Sequence, residues 1–153
     1  IIFAFSNPSA SAIEAMFLRH CSDTTALICD SGPSGKFVKS FFNLFRNYKE
    51  NNLIETLAKS VFVPIFWSRH LHKDVSQHLA SFPKGFPILS IRGWKDDLIP
   101  PDHIDSLFEG HPNLSWRKLS LPQAGHLNGL KDFRENYTNG VRNFLVEVAT
   151  PIS

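Results

Sequence analysis

The chain has 153 residues, enough for one domain and too few for two comfortable ones. Sixteen Lys and Arg against fourteen Asp and Glu leave a formal charge of +2, and 42% of the residues are apolar, which excludes a nucleic-acid-binding charge footprint and a disordered or collagen-like chain. The two cysteines, Cys21 and Cys29, fit neither a zinc knuckle nor a redox pair, so a disulfide scaffold is excluded and a reducing, intracellular compartment is the default.

In chain order, the apolar run Ile1 to Phe5 reads as a buried strand, and Pro8 then opens a helix with Ile13, Met16, Phe17 and His20 on one face. Residues 24 to 29 form a second β-branched run, closed by the turn formers Asp30-Ser31-Gly32-Pro33. From about 34 to 84 no strand pattern appears. Phe37, Phe41 and Phe45 recur at helical spacing, as do Leu53, Leu57 and Val61, which predicts a helical insertion. A third strand is expected near 87 to 92. Pro100-Pro101 then starts a short helix carrying Ile104, Leu107 and Phe108 and stopped by Gly110. Residues 114 to 120 alternate as a fourth strand, and from Leu130 onward Phe133, Tyr137, Val141, Phe144 and Val148 step by three and four as one amphipathic helix. Strands alternating with helices predict a single α/β domain, a three-layer parallel sheet flanked by helices with right-handed crossovers.

In such a sheet, ligands and reacting groups collect beyond the carboxyl ends of the strands. Those ends hold Ser6-Asn7-Pro8, Asp30-Ser31-Gly32, Gly93-Trp94-Lys95-Asp96-Asp97 and Gly125-His126. Ser6, Asp96 and His126 thus follow in the order nucleophile, acid, base, the order of an α/β-hydrolase triad. A serine hydroxyl needs an imidazole to take its proton, and the imidazole needs a carboxylate to fix its tautomer. Asp96 occupies the expected turn register, with Asp97 and Asp30 as alternative acids. The Asn7 amide, just ahead of a helix, would face a developing oxyanion. The plainer reading of Ser6 is a helix N-cap, and of His126 a loop histidine.

As a set these residues resemble the α/β-hydrolase superfamily, and more narrowly the transmembrane protein 53-like family. The resemblance is carried by Phe5-Ser6-Asn7, Cys29-Asp30-Ser31-Gly32-Pro33, the aromatic stretch Val61 to His70 and the helix from Tyr137-Thr138 to Phe144. It implies a serine hydrolase of carboxylic esters with apolar acyl groups, needing no cofactor or metal. A non-catalytic interaction protein of the same fold is the alternative. It also implies association with the nuclear envelope or endoplasmic reticulum membrane, and strands ahead of Ile1 that these residues lack. A sheet beginning at Ile1 would be marginal alone, a slow catalyst without the second oxyanion donor, and prone to dimerise through its open edge. Where the family elbow continues Gly-Gly, this chain has Pro8-Ser9. Proline is tolerated in a first helical turn and leaves the Asn7 amide in place.

Other signals are weaker. Gly32-Pro33-Ser34-Gly35-Lys36 mimics a phosphate loop but has the wrong glycine spacing and no Ser or Thr after Lys36. His70, His72 and His78 lack a third ligand at a metal-binding interval. The insertion is basic, with Lys36, Lys39, Arg46, Lys49 and Lys59, and holds Phe37, Phe41, Phe42, Phe45, Phe62 and Phe66. Those aromatics either pack it onto the sheet, form a lid over Ser6, or touch a membrane or protein surface. No apolar run approaches the roughly 18 residues of a membrane span.

Overall fold

In the computed structural model the described residues are 1–46, 52–67 and 71–150, with the side chains of Phe37 and of residues 63–67 and 71–73 outside the description. The expectations placed on Lys49 and His70, and on the side chains of Phe37, Phe66 and His72, therefore lie outside the described residues.

Strands β1 (Ile2–Phe5), β2 (Leu27–Asp30), β3 (Phe86–Gly93) and β4 (Leu114–Leu121) form one sheet in the order β1-β2-β3-β4, every pair parallel. Helix α1 (Ser9–Leu18) connects β1 to β2. Helices α2 (Phe37–Arg46), α3 (Leu53–Trp67) and α4 (Leu71–Ala80) connect β2 to β3, and α5 (Pro101–Phe108) connects β3 to β4. Helices α6 (Gly129–Asp132) and α7 (Arg134–Ala149) close the chain.

The central strands are covered on both faces, as a parallel sheet requires. Leu27, Cys29 and Ile88 turn to one side and pack with Ile13 and Met16 of α1, Val75 and Leu79 of α4, and Ile104 and Phe108 of α5. Ile28, Leu89 and Ile91 turn to the other and pack with Tyr137 and Phe144 of α7. The period-two alternation of a strand thus supplies two cores from adjacent residues. Among the described residues β1 has a strand partner on one side only, and its Phe3 and Phe5 are exposed and stacked on each other at 4.8 Å.

Three boundaries differ from the sequence reading. The second strand begins at Leu27 instead of residue 24, at the first β1–β2 pair, Ile2 with Leu27, and runs to the last, Phe5 with Asp30. His20 is not on the face of α1. The helix ends at Leu18, His20 and Cys21 are left-handed at φ 52°, and the Cys21 amide reaches back to the Met16 carbonyl. That closure normally uses glycine, and no glycine marks it here. The C-terminal helix breaks at Phe133 (φ −132°, ψ 43°), giving α6 and α7 in place of one helix. The break seats Gly129 where a Cβ would lie 2.7 Å from Leu121 and 3.0 Å from Tyr137.

The stretch between β2 and β3 also divides. Val75 and Leu79 place α4 in the sheet-covering layer with α1, whereas α2 and α3 pack on each other. Among the described side chains of α3 the buried ones are Thr56 and Ser60, while Leu53, Ile54, Leu57, Val61 and Phe62 are exposed.

Phe108 is 1% exposed and Phe62 58%. Phe108→Ala is expected to cost about 3–5 kcal/mol, as aromatic deletions in a core do. Phe62→Ala should change stability by no more than about 0.5 kcal/mol. Urea unfolding midpoints of the two variants check this.

Candidate active site

Ser6 follows β1 directly, and its backbone is left-handed at φ 53°. An L-residue adopts that conformation only where its surroundings hold it, because Cβ crowds the following carbonyl. Here the Ser6 amide donates to the Asp30 carbonyl at 2.7 Å, extending the β1–β2 ladder by one rung, and the chain then turns into α1. The sharp strand-to-helix turn lifts the hydroxyl above the sheet. Pro8 takes the N-cap position at φ −54°, ψ −16°, and no side chain caps the helix. The N-cap role for Ser6 is thereby excluded.

The Ser6 hydroxyl instead lies 3.0 Å from His126 Nε2, and His126 Nδ1 lies 2.8 Å from Asp96 Oδ2. A carboxylate only accepts, so the proton on Nδ1 faces Asp96 and Nε2 is left to accept from Ser6. Asp96 is fully held. Its Oδ1 accepts the amides of Leu98 and Ile99 at 3.0 and 2.8 Å, and its side chain is buried. His126 is partly open to solvent, with 22% of its side chain exposed, which leaves the side of the ring that meets Ser6 reachable.

Neither of the other two carboxylates hydrogen-bonds to His126. Asp97 is exposed. Asp30 is buried and accepts from Ser31 Oγ at 2.9 Å and from the Tyr137 hydroxyl at 2.8 Å. Burial pushes the Asp30 carboxyl up, against the pull of those two hydroxyls and of the nearby His126 ring. Burial and Asp30 likewise raise the Tyr137 phenol. Burial pushes the Cys29 thiol up to about 12, so it stays protonated and offers no rival nucleophile beside Ser6.

The Asn7 amide makes no hydrogen bond among the described residues and sits ahead of the first turn of α1, where free amides project from a helix. The Asn7 side chain is tied to the loop after β2, its Oδ1 accepting the Ser34 amide at 3.4 Å.

Two glycines let the loops converge, a packing role that the turn patterns around Gly32 and Gly93 do not by themselves disclose. A Cβ on Gly32 would fall 2.9 Å from the Ser6 Cα and closer still to its carbonyl. A Cβ on Gly93 would fall 2.7 Å from the Ala124 carbonyl carbon, in the loop that carries His126. The Gly-Gly expected after Asn7 is absent, and the close backbone approach comes from the neighbouring strand end. The Asp-Ser-Gly-Pro turn was the available signal for Gly32. Ser31 and Leu127, both left-handed at φ 55° and 57°, carried no such signal.

No family model and no curated protein matches the chain in sequence. Solved structures do match in fold. An esterase of Pyrococcus furiosus superposes with a TM-score of 0.65 at 18% identity, over 97% of this chain and 53% of its own. An α/β-hydrolase enzyme from a Medee basin deep-sea metagenome library gives 0.59 at 17%, over 99% and 66%. A monoacylglycerol lipase of Paleococcus ferrophilus gives 0.58 at 13%, over 96% and 68%. The fold is that of α/β-hydrolases, and the chain spans about half the length of the Pyrococcus esterase.

Gly32→Ala should cost about 1–3 kcal/mol, the usual range for forcing atoms into a packed site. Gly110→Ala, with nothing within 4 Å of the added Cβ, serves as the matched control. Equal unfolding midpoints for the two would show that Ser6 is not packed on the Gly32 loop.

Proposed function

We propose that this protein is a serine hydrolase of carboxylic esters, with Ser6 as nucleophile, His126 as general base and then acid, Asp96 as orienting carboxylate and the Asn7 amide as one oxyanion donor. The observation that carries the reading is the continuous Ser6–His126–Asp96 hydrogen-bonded chain at the carboxyl end of a parallel sheet. Esterases and lipases among the structures of like fold support the substrate class.

In this reading Ser6 Oγ attacks the ester carbonyl carbon while its proton passes to His126 Nε2. The carbonyl oxygen gains the electron pair and is met by the Asn7 N–H. His126 returns the proton to the departing alkoxide, leaving an acyl-Ser6 ester. Water then attacks with its proton taken by Nε2, and the acid leaves as Ser6 regains its hydrogen. Asp96 balances the imidazolium in both halves without itself taking a proton.

The acyl portion is apolar in this reading, and helices α2 and α3 also present apolar surface. Val38 of α2 and Leu53, Ile54, Leu57, Val61 and Phe62 of α3 are exposed, while polar Thr56 and Ser60 face inward. That inverted pattern suits peripheral contact with a membrane surface through α2 and α3, in keeping with the resemblance to the transmembrane protein 53-like family and a nuclear-envelope or endoplasmic-reticulum location. Among the described residues no helix is long and apolar enough to cross a membrane. β1 is the outermost strand among the described residues, and its outer edge suits pairing with another strand, including that of a second copy.

Ser6→Ala and His126→Ala are each expected to lower kcat on p-nitrophenyl esters by about 10⁴-fold or more, and the double variant to lose little beyond either single one. Asp96→Asn should lose kcat on a similar scale, and Asp97→Asn should not. Losses that multiply in the double variant would show that Ser6 and His126 do not act as a unit. Leu57→Ser with Phe62→Ser should reduce flotation with phospholipid vesicles at unchanged melting temperature. Unaltered flotation would remove the membrane reading.

A further inference from the structure

Asp30, Ser31 and Tyr137 form a buried polar chain that none of the steps above uses. Ser31 and Asp30 are 2% and 4% exposed, and Tyr137 is 4% exposed. The Tyr137 hydroxyl of α7 donates to Asp30 Oδ2 at 2.8 Å, and Ser31 Oγ donates to Asp30 Oδ1 at 2.9 Å. A serine hydroxyl has one hydrogen. With that hydrogen committed to Asp30, the remaining lone pairs of Ser31 Oγ can only accept, and they accept the Leu127 amide at 3.1 Å. Leu127 is the residue after His126 and is left-handed at φ 57°, an unfavourable conformation for a leucine unless held.

We propose that Ser31 and Asp30 are positioning residues: with Tyr137 they form a strut from α7 across the end of β2 to the Leu127 amide, which fixes the backbone beside His126 and so the direction in which its Nε2 meets Ser6. The proposal rests on the triad reading above. Asp96 holds the ring from the Nδ1 side. The strut holds the main chain from which the ring hangs, 96 residues away in sequence from Ser31. Asp30 sets the polarity of the whole chain, because an acceptor at that point orients the Ser31 hydrogen away from Leu127. Its place is therefore behind the site as an anchor, and the carboxylate that meets His126 is Asp96.

The strut predicts a specific pattern. Ser31→Ala removes the acceptor for the Leu127 amide and should lower kcat on a p-nitrophenyl ester by about 10- to 100-fold, the scale of a misplaced catalytic group. KM should stay within about twofold, since the substrate's own contacts are untouched. The second-order rate of Ser6 inactivation by a fluorophosphonate should fall in parallel with kcat. Asp30→Ala should behave like Ser31→Ala, and Asp30→Asn, which keeps an oxygen to accept from Ser31, should recover most of the lost kcat. Tyr137→Phe deletes only the distal bond and should lower kcat by about 3- to 10-fold, a milder variant that reports on the strut where the others do not fold. A purely structural role would lower the melting temperature without a selective loss of kcat and without rescue by Asn. Wild-type kcat in folded Ser31→Ala, or in Tyr137→Phe, beside an inactive Ser6→Ala would overturn the strut and leave the triad standing. An active Ser6→Ala would overturn the triad reading and the strut with it.

Discussion

The left-handed turn at Ser6 is the constraint on which the site depends. Six non-glycine residues have positive φ among those described, and three of them, Ser6, Ser31 and Leu127, meet at one end of the sheet. Each costs of order 1–3 kcal/mol in isolation, so the surrounding contacts must hold them. The Ser6 amide is tied to the Asp30 carbonyl, the Ser31 amide to the Ile91 carbonyl at 2.8 Å, and the Leu127 amide to the Ser31 hydroxyl. Three consecutive parallel strand ends are stitched across the turns that leave them. The stitching explains why glycine is found at position 32, beside the strained serine, where any side chain would collide with the Ser6 backbone.

The parallel sheet makes this economical. Because β1, β2, β3 and β4 run the same way, their carboxyl ends place residues 6, 30, 96 and 126 in one neighbourhood even though they are spread over most of the chain. The helices on each face contribute differently. α1 and α5 bury apolar faces against the first core and start from the turns that carry Ser6 and Asp96. α7 anchors the opposite core through Phe144 and sends Tyr137 to Asp30, so one helix residue serves both packing and the polar network. A partly buried salt bridge between Arg92 and Asp105 ties β3 to α5.

Much of this architecture was legible in the residues. The strand-helix alternation specified a parallel sheet, and the four strands lie where the apolar runs and turn formers placed them, within a few residues. Boundaries failed where tertiary pairing overrode local pattern. Thr24 and Thr25 have strand propensity but lie ahead of the first β1–β2 pair, Ile2 with Leu27, and Phe133 continues a helical period that the packing of Gly129 under Tyr137 interrupts. At the candidate site, the hydroxyl, imidazole and carboxylate that hydrogen bonds now join could be picked out by their types and order at the strand ends. Which of Asp30, Asp96 and Asp97 stands at His126 is decided by geometry, since all three lie at the ends of strands and only the register of the β3 turn puts Asp96 on Nδ1. Ser31 and Leu127 were beyond reach for a different reason. A hydrogen bond spanning 96 residues leaves no periodic or local trace, and a left-handed leucine has no sequence signature.

The central claim is that the turn after β1 presents a nucleophilic serine. It is tested most directly by treating the protein with a fluorophosphonate and mapping the adduct by peptide mass spectrometry. The account predicts one modified residue, Ser6, at a stoichiometry approaching one per chain, and protection of the same residue by an ester substrate. Modification at another serine, or a folded protein that takes up no label, would contradict it.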